Sequence, residues 1–240
     1  MKMQPKRIQE TENSVAKFKA TKGRIDVEQA KINIKMLYCL RTNKTEKSGL
    51  RWYQNASQKC KGFAELSGVS FEQFCALVAV LSPMTAWEEK INGVLVQTNI
   101  NLALQAIEQY NLSGEVTVHM FGNNNRKAKA ILDGDLEVFN PATAPKTWNF
   151  YNNLLNPSDA DFVTIDSHAF AILFGMFNVT GSWLGNYAAY KRAAQCYNEV
   201  ADELGILPCD LQAVCWTTRK RFTDSDKRIT SNEYADANSL

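Results

Sequence analysis

The apolar positions of this chain recur mostly at helical spacing, and no stretch sustains the two-residue alternation of a half-buried strand. Asp26 precedes a segment with Ile32, Met36, Leu37 and Leu40 on one face, the pattern of a capped helix. A second helix is expected to carry Leu50, Trp52, Tyr53, Phe63 and Leu66 and to stop at Gly68. Ser70 and Gln73 have the spacing of a capping box ahead of the run FEQFCALVAVL, which Ser82-Pro83 should end. Thr85 and Glu88 repeat that spacing, so a further helix is predicted over 86–107. Residues 111–125 read as a loop, with a short helix from Arg126 to Gly134. The turn NPATAPKT, with its two prolines, feeds an aromatic helix that Asn156-Pro157 closes. VTID is a short extended entry to the buried helix SHAFAILFGMF, with Asp166 or Ser167 as N-cap. After the glycine-rich TGSWLGN, helices are expected over 187–204 and 210–221. The fold class is all-α.

Composition narrows the field. A chain of 240 residues, 45% hydrophobic and 22% charged, has material for a sizeable core and is neither disordered nor collagen-like. The apolar run over 74–81 is too short to cross a bilayer, and the charged start MKMQPKRIQE has no hydrophobic segment of the signal-peptide kind. A cytoplasmic protein with no membrane partner is expected. Six cysteines without paired spacing read as reduced, buried thiols. With His119 and His168 as its two histidines and no Cys-x-x-Cys, the chain gives no reason to expect a metal site, and no cofactor is expected. Gly-x-Ser-x-Gly, Walker-type and Gly-x-Gly-x-x-Gly motifs are all missing from the sequence.

The net charge of +2 hides a segregation. Residues 1–24 hold seven Lys/Arg against two Glu, and residues 25–215 hold 15 Lys/Arg against 19 Asp/Glu. Residues 41–61 carry Arg41, Lys44, Lys47, Arg51, Lys59 and Lys61 against Glu46 alone, and Arg219-Lys220-Arg221 lies near the end. Such clusters fit either contact with a polyanion or ordinary solvated helix faces. Residues 1–24 are expected to form a mobile basic arm and 223–240 a frayed polar tail.

VTIDSHAF is the segment with the most chemical potential. A carboxylate between an apolar run and an apolar helix sits at the core boundary, and the residues alone leave Asp166 open as helix cap or catalytic group.

Four segments in succession resemble the helix-hairpin-helix DNA glycosylase superfamily. FCALVAVLSPMTAWEEKINGV is similar to that family's opening helix, an apolar run ending in Leu-Ser and followed by a residue that fills the gap left by a flipped base; Met84 falls at or beside that position. GNNNRKAKAIL resembles the Gly-x-x-x-x-Lys-Ala segment, NPATAPKT lies where the hairpin should be, and VTIDSHAF resembles Val-Asp-x-His-x-x-Arg, whose Asp is the catalytic carboxylate. The resemblance covers about residues 70–174. It implies a two-lobed all-α fold with an active cleft between the lobes, in one unit over 25–222: one lobe of about 73–144, the other of about 25–72 plus 145–222.

The activity so implied is cleavage of the N-glycosidic bond of a modified base flipped out of DNA, such as a hypermodified base of phage DNA in antiviral defence. Asp166 is the carboxylate, and Lys146 aligns with the nucleophilic lysine of bifunctional members, its other reading being a phosphate contact. Met84, Trp87, Trp148, Phe150, Tyr151 and His168 are candidates for the base pocket, with His168 bracing the Asp loop. Asn123, Asn124 and Asn125 either read base edges or make a turn. Arg126, Lys127 and Lys129, with Arg219, Lys220 and Arg221, are the candidate phosphate contacts. The expected partner is double-stranded DNA and the expected state a monomer. There are two departures: Ala142 and Ala144 stand where the family hairpin has glycines, with Pro145 beside them removing a backbone donor, and Ala171 stands where the motif has Arg. Iron–sulfur ligands are also missing after the motif. A base-hypermodifying enzyme and a catalytically silent DNA-binding module remain the other readings.

Overall fold

The computed structural model describes residues 24–91, 94–138, 140–175 and 187–223. All but the last residue of the predicted basic arm, the glycine-rich TGSWLGN connection and all but the first residue of the predicted polar tail lie outside the described residues. The described chain runs α1 (Val27–Cys39), α2 (Asn43–Leu50), α3 (Trp52–Ser67), α4 (Phe71–Val80), β1 (Glu89–Ile91), β2 (Val94–Val96), α5 (Thr98–Ser113), α6 (Gly122–Leu132), α7 (Pro145–Leu155), α8 (Ser167–Leu173), α9 (Tyr187–Leu204) and α10 (Pro208–Thr223). It is a helical protein with one short hairpin. It divides into two units, residues 1–53 with 158–240 and residues 54–157, the first crossing falling inside α3.

In the first unit, α1, α8, α9 and α10 enclose a core that includes Ile34, Ile165, Phe170, Tyr197 and Leu211. Asp26 caps α1 by accepting from Gln29 N at 3.2 Å, as its position implied. The buried Asn33 amide donates to Leu173 O at 2.9 Å and so satisfies a carbonyl at the end of α8. On the outer side Lys31 pairs with Glu199 (2.9 Å) and Glu203 (3.3 Å), and Lys35 with Glu203. The predicted second helix is two. The chain breaks at Arg51 because Gly49 brings α2 against α10: a Cβ at Gly49 would lie 2.5 Å from Val214 Cα. Leu66, expected on an apolar face, is exposed.

In the second unit, α4 is the central helix, buried at every residue over 74–81, with α5, α6 and α7 packed on it. Its capping box forms as the spacing predicted: Gln73 N donates to Ser70 Oγ at 3.1 Å and Ser70 N to Gln73 Oε1 at 3.2 Å. The helix predicted over 86–107 is corrected. Residues 89–91 and 94–96 pair as antiparallel strands with Glu89 opposite Val96 and Ile91 opposite Val94, and α5 begins at Thr98. Asn92-Gly93, the pair between two runs that include Ile91, Val94 and Val96, is a hairpin signal that outweighs the Thr85–Glu88 spacing. The helix predicted from Arg126 begins four residues earlier, at Gly122, so Asn123, Asn124 and Asn125 form its first turn, not a loop. Among the described residues no single helix is long and apolar enough to cross a membrane; α3 and α4 reach that length only as a pair bent by 114°.

Candidate functional site

Asp166 sits at the end of an extended segment that runs through the core of the first unit. Val163, Thr164 and Ile165 are buried, and Tyr190 of α9 fastens them: its hydroxyl donates to Val163 O at 2.9 Å and accepts from Ile165 N at 3.0 Å. Tyr197, seven residues or about two turns further along α9, donates to Ala169 O at 3.1 Å. Burial pushes both phenols above their ordinary range, with the Asp166 charge acting in the same direction, so both remain protonated donors. Between these clamps Asp166 caps α8, its Oδ1 accepting from Ala169 N at 2.7 Å. Asp166 is half-buried, and its Oδ2 has no hydrogen-bond partner among the described residues. A carboxylate is thus presented on an over-determined backbone with one oxygen uncommitted.

His168 lies on the first turn of α8, and the guanidinium of Arg219 in α10 contacts its Nδ1. The ring therefore offers its Nδ1 lone pair inward and carries its proton on Nε2. Arg219 was expected to meet phosphate. It is 4% exposed, and the reason is geometric: successive helical residues turn by about 100°, so a run of three basic residues cannot all face solvent. The motif lacks an Arg at position 171, and an Arg from another helix reaches its histidine instead. Arg221 remains at the surface, donating to Leu40 O at 3.2 Å and lying 4.2 Å from the Phe222 ring centre, while Lys220 lies 4.9 Å from that of Trp216.

In the second unit the NPATAPKT turn closes without glycine. Asn140 Oδ1 accepts from Ala142 N at 2.7 Å, and Asn140 O accepts from Thr143 N and Ala144 N at 3.1 and 2.9 Å. No residue of the turn has positive φ, which removes the need for the glycines of the resembling hairpin. Pro145 opens α7 at a position where its missing N–H costs nothing, and Lys146 follows in the first turn, half-buried. Trp148 and Tyr151 of α7 approach at 6.1 Å between ring centres, and Trp87 meets Phe150 edge-on at 6.4 Å; Tyr151 and Phe150 are buried.

Met84 is 82% exposed and holds φ at +59°, the one non-glycine residue in the left-handed region among the described residues. A buried histidine builds this turn. His119 donates from Nε2 to Pro83 O at 2.9 Å and accepts the Phe121 N–H at Nδ1 at 3.1 Å. Asn125 in turn grips the backbone of His119 from both sides, accepting from its N and donating to its O, each at 2.8 Å. Asn125 therefore holds the turn, its amide oxygen and nitrogen each bonding the His119 backbone. The Lys129 ammonium forms a surface ion pair with Asp133 at 2.9 Å one turn along α6. Arg126, bonded to Asn123 at 3.3 Å, and Lys127 remain near the start of α6.

His119, Tyr190 and Tyr197 were not singled out from the sequence. An aromatic on a helix face reads as core filling, and a hydroxyl bonded to backbone far along the chain leaves no local trace. His119 stands between Val118 and Met120 six residues before Asn125, a pattern with no specific chemical meaning in sequence.

Fold and site together define a helical protein with a braced, N-capping aspartate next to an Arg-bound histidine. Residues 17–222 match the model described as Family of unknown function (DUF7178), and the chain belongs to that family. No curated protein and no solved structure matches it.

Proposed function

We propose that this protein is a DNA glycosylase that hydrolyses the N-glycosidic bond of a modified base taken out of duplex DNA. The observation that carries the reading is the Asp166 carboxylate: fixed through Oδ1, without a hydrogen-bond partner at Oδ2 among the described residues, and braced by two buried tyrosines of α9 that bond the extended segment before it and the helix after it. Such rigidity exceeds what a cap requires and is what electrostatic stabilisation of a short-lived cation needs.

In this mechanism the glycosidic bond breaks with its electron pair passing to the departing base, and Asp166 stabilises the positive charge at C1′ of the sugar. Water adds its oxygen to C1′ and yields a proton to the carboxylate, which returns it to the base. His168, held by Arg219, keeps the first turn of α8 after Asp166 in register. A base cannot be attacked inside the stack, and extruding it costs on the order of a few kcal/mol, so a filling residue is needed. Met84, projecting from a strained turn, supports that role.

The deciding experiment incubates the protein with plain and naturally hypermodified phage DNA and measures abasic sites and released base. Asparagine caps helices as well as aspartate does, so Asp166→Asn keeps the fold while removing the charge. Loss of excision with unchanged melting temperature supports the reading. Binding without release of base from any DNA would leave a silent DNA-binding module. Lys146 is tested separately: borohydride trapping of a covalent adduct in wild type and not in Lys146→Ala would show that its amine attacks C1′, forming a Schiff base that cleaves the strand by β-elimination.

A further inference from the structure

We infer that the outer face of α2 is a second contact for the DNA phosphate backbone, made by Lys44, Lys47 and Arg51. This rests on the DNA reading above and adds to it a surface that neither the family resemblance nor the Asp166 site supplies. The three residues stand at i, i+3 and i+7, within one narrow arc of the helix, and all are exposed. Among the described residues none of them forms an ion pair, whereas Lys31 and Lys35 of the same unit each face a glutamate. The one acid on α2, Glu46, is taken by Arg41 at 2.7 Å. The stripe is therefore an uncompensated positive surface.

The helix itself is poorly suited to exist for its own sake. NKTEKSGL offers Leu50 as its one large apolar residue, and Lys44 occupies the first turn, where the helix dipole disfavours a cation. Tertiary contacts hold it by the opposite face. Thr45 Oγ1 meets Thr218 Oγ1 at 3.2 Å, Thr45 O accepts from Thr217 Oγ1 at 2.9 Å, and Gly49 lets the backbone close on Val214. A polar helix so firmly seated presents its cations in fixed positions. At 1.5 Å per residue, Lys44 to Arg51 spans about 10 Å, near three phosphate-to-phosphate steps of about 3.4 Å axial rise along one strand, so the three cations fall within a run of four phosphates. An anion at the stripe also relieves the unfavourable placement of Lys44.

The test measures the dissociation constant of the full chain for a 30-base-pair duplex across salt concentrations, for wild type, for the triple variant Lys44→Gln/Lys47→Gln/Arg51→Gln, and for Lys191→Gln, an exposed cation on α9. Each phosphate contact contributes about 0.9 to the slope of log affinity against log salt, so the triple variant should lose about 2.7 of that slope and bind tenfold or more weakly at low salt, with its melting temperature kept. Lys191→Gln should leave both slope and affinity as in wild type. Wild-type slope and affinity in the triple variant, with wild-type binding intact, overturn the stripe and leave the glycosylase reading standing. No salt-dependent DNA binding by wild type overturns both. Binding to phosphatidylserine vesicles that the triple variant loses, with DNA binding unchanged, assigns the stripe to a membrane surface and also overturns the proposal.

Discussion

The turn that ends at Asp166 and the turn that carries Met84 use the same device, a polar side chain that bonds nearby backbone where a helix begins or ends, and they differ in what is left over. At Met84 every polar atom is consumed: His119 commits both ring nitrogens, and Asn125 commits both ends of its amide. At Asp166 one oxygen is consumed and the other has no hydrogen-bond partner among the described residues. A fully consumed cluster holds a shape, and what it presents is the apolar Met84. A cluster with spare valence on a braced backbone presents chemistry. Polar residues at two similar turns are thus separated by counting their hydrogen bonds, which their residue types alone do not reveal.

The comparison predicts opposite phenotypes. Asp166→Asn should lower base excision by about 10²–10⁴-fold, the range for losing a positioned carboxylate, with little change in melting temperature. Substantial excision by that variant would reduce Asp166 to a cap. His119→Ala should behave the other way, losing about 1–3 kcal/mol of stability in thermal or urea unfolding because Pro83 O and the Phe121 N–H lose their partner. His119→Gln, whose amide can still donate towards Pro83 O, should recover part of that loss, and equal destabilisation by both variants would count against the His119–Pro83 bond as the pin of the turn.

Smaller effects sharpen the picture. Tyr190→Phe removes one hydroxyl from two buried backbone groups, so a cost of about 1–3 kcal/mol is expected, together with reduced excision as the extended segment before Asp166 loosens. Unfolding measured beside single-turnover excision checks both, and a fall in stability with full activity would separate the brace from the chemistry. Least perturbing is thiol labelling of the folded protein. Cys39 is exposed, whereas burial pushes the Cys196 and Cys209 thiols up to about 11 and about 12, and Cys60, Cys75 and Cys215 are buried as well. Iodoacetamide at neutral pH should modify Cys39 alone, read by mass spectrometry, and labelling of the others would mean the cores open readily.

Local pattern made much of the fold legible. The Asp26 cap, the Ser70–Gln73 box, the stop after the buried run of α4 and the bounds of α9 follow from contacts within a few residues, so sequence spacing reports them directly. The hairpin was missed because two local signals competed, a capping-box spacing at Thr85–Glu88 and an Asn-Gly pair, and cross-strand pairing decided for the second. Asp166 was legible as a boundary carboxylate. Its bracing was not, since Tyr190 lies 25 residues beyond Ile165 and Tyr197 lies 28 beyond Ala169.

What this sequence determined by itself is where helices start, where most of them stop, and which residues are chemically able to act. Those properties depend on backbone satisfaction and side-chain periodicity within one or two turns. Tertiary structure alone decided which of those residues retain unspent capacity. Arg219 turned inward to His168, 51 residues away, His119 reached Pro83 O across 36 residues, Tyr190 fastened the segment before Asp166, and Asp166 kept an oxygen with no hydrogen-bond partner among the described residues. A hydrogen bond is a pairing, and a partner many residues away enters the account only once the chain has folded.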